Sequence, residues 1–298
     1  MTAEYSNPTI PEGINTSERH PLRSFFVQSA QALAAFIALS LVLAVAVSLL
    51  APYLPFSWEQ RMAQSLVKAF PANPESEAEK ALGEVAAKVM ARMDLPKGMD
   101  IQVRYSDSGT VNAVAMPGGL VVVFRGLLEE LESEDEVAAL LAHEIAHVQH
   151  RDVARGMMRA AGMALLFSVV EPMAPVVSLM QKVGAQTFSR TQETAADLAA
   201  AEALTRLYGH AGGAVRLFER IRDLVLDDED EPPELMASHP NFENRIASVR
   251  ERCAALPACA AEGALKPLPA ALATALAAER AKAKEKAKKK TKDETCKD

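Results

Sequence analysis

A chain of 298 residues with 49% hydrophobic content can bury a substantial core in one or two domains, and its net charge of -7 excludes a globally basic nucleic-acid or anionic-surface binder. Three cysteines, none in a CxxC pair, exclude a disulfide scaffold, a redox dithiol and a zinc ribbon. The charge is uneven: from Glu279 onward nine Lys or Arg stand against five Asp or Glu, leaving -11 on the rest of the chain.

No charged residue occurs from Ser24 to Trp58, and Ala32 to Ala51 is almost wholly Ala, Leu, Val, Ile and Phe. That matches the ~20 residues a helix needs to cross the hydrocarbon core. A cleaved signal peptide fits less well, because the preceding polar stretch carries Glu4, Glu12 and Glu18, and no A-x-A-like site follows Leu50. The expectation is a polar segment 1–23, then a single uncleaved anchor in lipid over 24–58, with Tyr53 and Trp58 at the interface. Arg19, His20 and Arg23 lie closer to the helix than Arg61 and Lys68, which favours a cytoplasmic N-terminus and places the remainder on the far side.

Residues 59–256 read as one domain. Glu75-Ser76-Glu77 opens a helix whose apolar face is Leu82, Val85, Val89 and Met93. Alternation then predicts strands at Ile101 to Tyr105, from Val111, and at Leu120 to Phe124, the last two joined through Pro117-Gly118-Gly119 as a small antiparallel sheet. Ser133 with Glu136 is a capping-box signature for a helix running through His150. Residues 160–181 are apolar but broken by Glu171, Pro172 and Pro175, which predicts buried helices, with a membrane-dipping hairpin as the alternative. Helices are expected from Phe188 to Leu207, Ala214 to Leu226 and Phe242 to Ala255, with an acidic loop at 227–233. Residues 257–298 read as an Ala/Lys-rich low-complexity tail, solvated at its end; no aromatics interleave with its lysines, so no nucleic-acid partner is expected. Cys253 and Cys259 flank Leu256-Pro257, either as a disulfide in an oxidising compartment or as two small apolar side chains in the cytosol.

His143-Glu144-Ile145-Ala146-His147 is an HExxH pattern inside the capped helix. Positions i and i+4 share a face, so both imidazoles can reach one zinc ion, and Glu144 is turned aside where it can take a proton from a metal-bound water. A third protein ligand is needed, and the place where a metzincin would carry its third His holds Val153. Glu193 is the best candidate; Asp197, on the same helix face, can then accept a hydrogen bond from a ligand imidazole, the alternative being an exposed acidic face.

These residues resemble the M48 zinc metallopeptidases, with their membrane-bound Ste24-like, HtpX-like and Oma1-like branches. The resemblance covers about 75–252 and rests on Asn112-Ala113, Pro117-Gly118-Gly119, Gly126-Leu127-Leu128, His143 to His147, Glu193 with Asp197, and His239-Pro240 with Arg245-Ile246. It implies an α+β, mainly helical, zincin-type metalloprotease domain behind one transmembrane helix. It also implies one zinc per chain, held by His143, His147 and Glu193. By the same resemblance His239 approaches the metal, either donating to the oxyanion of the tetrahedral intermediate or occupying the open zinc position until substrate displaces it. Arg245 would then fix that loop or pair with an acid such as Asp197. His150 is left out of the metal set.

The strand carrying Asn112, Ala113 and Val114 is expected to line the cleft and bind polypeptide substrates by strand addition. The resulting expectation is a zinc endopeptidase acting on unfolded or misassembled envelope proteins from a bacterial inner membrane, with its catalytic domain periplasmic and homo-oligomerisation open. The alternative is a catalytically silent, membrane-tethered chaperone or binding module on the same fold.

Overall fold

The computed structural model describes residues 21–50, 53, 55–158, 188–227, 234, 235, 239, 242–254 and 264–295. The expectations for the polar segment before residue 21, for 160–181, for the acidic loop at 228–233 and for Cys259 lie outside the described residues.

Helix α1, Pro21–Leu50, contains Leu22–Val42, 21 residues long and apolar enough to cross a membrane and unburied by the rest of the chain. Two short helices follow, α2 (Phe56–Met62) and α3 (Gln64–Ala69). Helix α4 (Glu77–Met90) is capped by Ser76, whose hydroxyl accepts from the Glu79 amide, and it buries Leu82, Val85 and Val89 on the face that the apolar spacing predicts.

Strands β1 (Gln102–Ser106), β2 (Ala113–Met116) and β3 (Leu120–Phe124) form one sheet in the order β1-β3-β2. The expected antiparallel pairing holds only for β2 with β3, from Ala113↔Val123 to Met116↔Leu120. β1 runs parallel to β3, from Gln102↔Leu120 to Ser106↔Phe124, so the sheet is mixed. The cause is the path of 107–112: it carries the chain past the middle position, and β3 returns through the tight turn Pro117–Gly119 into the gap between the other two. Alternation marks each strand but does not encode which edge the connection reaches. β3 is thereby covered on both faces. Val121 and Val123 face the main core, while Leu120 and Val122 pack with Val114, Met116 and, from α3, Leu66 and Val67.

The short helix α5 (Arg125–Leu128) leads to α6, Glu134–Gln149, the buried central helix of the helical layer. Ser133 caps α6 by accepting from the Glu136 amide at 3.1 Å, and its hydroxyl donates to Glu136 Oε2 at 2.8 Å. Around α6 pack α4, α7 (Arg190–Tyr208) and α8 (Gly212–Asp227), with α9 (Phe242–Ala254) against α7 and α8. A full capping box at Ser189 and Gln192 opens α7, and Gly209 at φ 84 ends it in the left-handed conformation that favours glycine.

The C-terminal segment is more integrated than its composition predicts. Helix α10 (Ala270–Thr295) lies on α4 and inserts Leu272 and Leu276 into the core. The residues before it clasp the start of α6: the Glu134 amide donates to Lys266 O and the Lys266 amide to Asp135 Oδ2, each at 2.9 Å. Alanines spaced along a helix supply a close-packing face even where hydropathy is low, while Lys282 stays exposed as the basic run predicts. Cys253 is buried and disulfide-bonded, and the other two cysteines lie outside the described residues.

Candidate metal centre

The packing of α6 against α7 brings the sequence-selected donors together. His143 and His147, one turn apart on α6, direct their Nε2 atoms to within 3.1 Å of each other. From the first turn of α7, Glu193 brings Oε1 to 3.5 Å from His147 Nε2 and Oε2 to 3.7 Å from His143 Nε2. His239 Nδ1 lies 3.2 Å from His143 Nε2 and 3.0 and 3.1 Å from the two Glu193 oxygens. One donor atom from each of these four buried residues falls within 4.8 Å of all the others.

A ring of charged side chains orients these donors. Asp197 Oδ1 accepts from His143 Nδ1 at 2.9 Å and Asp152 Oδ2 from His147 Nδ1 at 3.1 Å, which turns both Nε2 lone pairs inward. Arg245 grips Asp197 at two points, Nε to Oδ2 at 2.9 Å and a terminal nitrogen to Oδ1 at 2.7 Å. Its other terminal nitrogen is 3.0 Å from Glu193 Oε2, and the guanidinium rests 4.4 Å over the Phe218 ring. Phe188 stacks on His147 with ring centroids 3.9 Å apart.

Asp152 and Phe188 escaped the sequence reading. Phe188 entered it only as the start of a helix. Asp152 follows α6 after a reversal at Arg151, whose φ of 60 no periodic pattern signals. The one available cue was an acid five positions after the second histidine.

Burial pushes the His143 imidazole below its ordinary pKa, and the Arg245 charge adds to this against the pull of Asp197. Burial acts likewise on His147, but hydrogen bonds to Asp152 and Glu193 outweigh it and raise the group to about 9. Of the two imidazoles, His147 is therefore the more basic in the metal-free protein. Burial would raise Glu193, Asp197 and Asp152, yet their cationic and hydrogen-bonding partners hold all three below the ordinary carboxylate range.

Glu144 differs from these carboxylates. It is fully buried, and among the described residues neither oxygen has a hydrogen-bond partner, its close neighbour being His239 Nε2 at 3.6 Å from Oε1. A buried carboxylate left orphaned beside converging nitrogen and oxygen donors fits a group bound between them. With both imidazole tautomers fixed by carboxylates, the donor set fits a metal ion.

The remaining selected residues lie around this centre. Asn112, just before β2, donates from its side chain to Glu234 Oε2 at 3.1 Å, while its carbonyl accepts from the Phe124 amide. Ala113 and Val114 belong to β2, the outer strand that packs on α6. His150 is the C-cap residue of α6 and does not join the donor cluster.

Comparison with known proteins places these features in a family context. The model of peptidase family M48 matches residues 76–253, more than half of the chain. The beta-barrel assembly-enhancing protease of Escherichia coli (strain K12) is 29% identical over 157 residues, which is 48% of this chain and 32% of that protein. The mitochondrial metalloendopeptidase OMA1 of Arabidopsis thaliana is 35% identical over 104 residues, 34% of this chain and 21% of that protein. Metalloprotease LoiP of Escherichia coli (strain K12) is 26% identical over 167 residues, 53% of this chain and 65% of that protein. The match to the first two relatives thus spans a third or less of their own lengths.

Proposed function

The chain belongs to peptidase family M48, and on that premise we propose that it is a membrane-anchored zinc endopeptidase that uses Glu144 as its general base. The observation carrying the proposal is the orphaned Glu144 carboxylate beside the His143, His147 and Glu193 donors, whose histidines are each fixed by a carboxylate.

In this reading His143, His147 and Glu193 hold one zinc ion. When bound, the ion would supply Lewis-acid polarisation of a carbonyl and make water more acidic. Glu144 accepts the proton of the attacking water and returns it to the leaving amine. Its burial excludes competing solvent and its free oxygens leave both lone-pair sets available. Asp197 and Asp152 hold the ligand imidazoles, while Arg245 neutralises Asp197 and Glu193 and keeps two acids close together without mutual repulsion. In this reading substrate enters past His239. With Nδ1 among the donors it caps the centre in this conformation, and when displaced it can donate to the developing oxyanion. Strand β2, with Asn112 before it, would take an extended substrate segment as an added strand, reading backbone rather than side chains.

Helix α1 supports a single-pass anchor, and the disulfide at Cys253 supports an oxidising compartment on the far side of a bacterial inner membrane. Unfolded or misassembled envelope proteins are the proposed substrates, a class in keeping with a relative named as enhancing beta-barrel assembly. Purified protein is expected to carry one zinc and to cleave casein, with Glu144→Gln abolishing cleavage while keeping the metal. Stoichiometric zinc without cleavage, in wild type and in His239→Ala alike, would favour a silent binding module.

A further inference from the structure

The Pro117-Gly118-Gly119 turn is a motif that the catalytic reading leaves without a task. Its glycines are required by a close approach. A Cβ on Gly118 would sit 2.8 Å from Ala63 Cβ and 3.0 Å from Gln60 Cα, and one on Gly119 3.0 Å from the Phe56 ring. Both glycines hold positive φ, 74 and 85. The turn is therefore a seat for α2, which begins after only five residues beyond the end of α1.

From that seat α2 reaches toward the centre. Glu59, 6% exposed, places Oε1 2.6 Å from the Arg151 guanidinium, and the Gly118 amide donates to its Oε2 at 3.5 Å. Arg151 also lies over the Phe56 ring at 5.6 Å. Its φ of 60 is the one positive value at a non-glycine among the described residues, a conformation disfavoured by a Cβ and kept only where the surroundings impose it. The imposed reversal comes directly after the α6 C-cap and turns the chain so that Asp152 meets His147 Nδ1 at 3.1 Å and Gln192 Nε2 at 2.8 Å.

We infer that Glu59 is a positioning residue for the metal centre, acting through the Arg151 turn and Asp152 on the His147 imidazole. The inference rests on the reading of His147 as a metal ligand. The helix that follows the apolar N-terminal helix is thus part of the support of the site rather than a tether beside it. Displacing α2 from the glycine seat would take Glu59 and the Phe56 ring away from Arg151 and loosen the turn that carries the acceptor fixing one ligand.

The test uses the full chain in detergent micelles and measures zinc affinity by competition with a chelator, alongside the unfolding temperature of the metal-free protein. Glu59→Gln and Arg151→Gln are each expected to raise the zinc Kd about 10-fold, the lower end for groups supporting a ligand from outside. The double variant should be little worse than either, because the two act as one unit. Arg151→Gly accepts the left-handed turn without help from Glu59 and should keep more of the affinity than Arg151→Gln, which general destabilisation does not predict. Leu272→Ala, in the core under α10, controls for stability and should lower the unfolding temperature without moving the Kd. Should Arg151→Gln not fold, Arg151→Lys and Phe56→Leu read the same link. Zinc affinities within twofold of wild type in the Glu59 and Arg151 variants overturn the inference while leaving the metal site intact. A wild type that binds no zinc removes the metal site and this inference together.

Discussion

Arg245 and Asp197 form a two-point ion pair in the buried interior, and the same guanidinium touches Glu193, so one cation balances two carboxylates. Removing it takes the full positive charge from both and leaves Asp197 and Glu193 with histidine partners. Arg245→Leu should destabilise the metal-free protein by about 3–5 kcal/mol, the range for breaking a buried pair from one side. Arg245→Lys should recover only part of this, since an ammonium cannot reproduce the two-point geometry. Urea unfolding of the metal-free variants reads both effects, and a loss below ~1 kcal/mol for the Leu variant would mean that solvent already screens the pair.

Asp152 and Asp197 hold the His143 and His147 imidazoles from behind, so, with these two as the proposed zinc ligands, each should govern metal affinity more than fold. Asp152→Asn and Asp197→Asn are expected to weaken zinc binding roughly 10–100-fold. The Asp197 variant should also be the less stable, because its carboxylate faces Arg245 as well. Equal zinc affinity in wild type and Asp152→Asn would show that His147 is oriented by α6 packing alone.

The HExxH residues and the capped helix beneath them are legible because every signal is local: a Ser133 cap, i and i+4 spacing, and unbroken helix-forming residues between. Glu193 and Asp197 are legible as a pair on one face, but their meeting with α6 depends on helix packing, and spacing together with family resemblance selected them. The mixed sheet and Asp152 were not legible for a common reason. Each depends on the direction taken by a connection, 107–112 in one case and the reversal at Arg151 in the other, and a connection's path is set by what it packs against. The core role of α10 was hidden by composition, since alanine contributes little hydropathy and packs closely.

The Gly119 backbone allows a sharp test of local geometry. At φ 85, an added Cβ would lie 2.2 Å from the Asp100 carbonyl oxygen, a position that must shift backbone rather than a flexible side chain. Gly119→Ala should therefore destabilise by more than the ~1 kcal/mol that left-handed conformation alone costs. Gly98→Ala isolates the conformational cost, because Gly98 has φ 81 with nothing within 4 Å of its added Cβ. Similar unfolding midpoints for the two variants would mean that the β3 end yields without strain.

The metal-free protein should respond to pH through His147, whose folded pKa of about 9 lies above the ordinary histidine value near 6.5. A raised pKa means that the folded state holds the proton more tightly. The stability gained is full below about pH 6.5 and is lost as pH rises through 9. The acids around it cannot mask this, because Asp152, Glu193 and Asp197 are held below the ordinary carboxylate range and stay charged across that window. Metal must displace the same proton, so zinc affinity should climb with pH over the interval in which metal-free stability declines. Unfolding temperatures of chelator-treated protein between pH 6 and 10 give the first slope, and zinc competition at the same pH values gives the second. Two slopes of the same sign would place the proton somewhere other than on a metal-binding nitrogen.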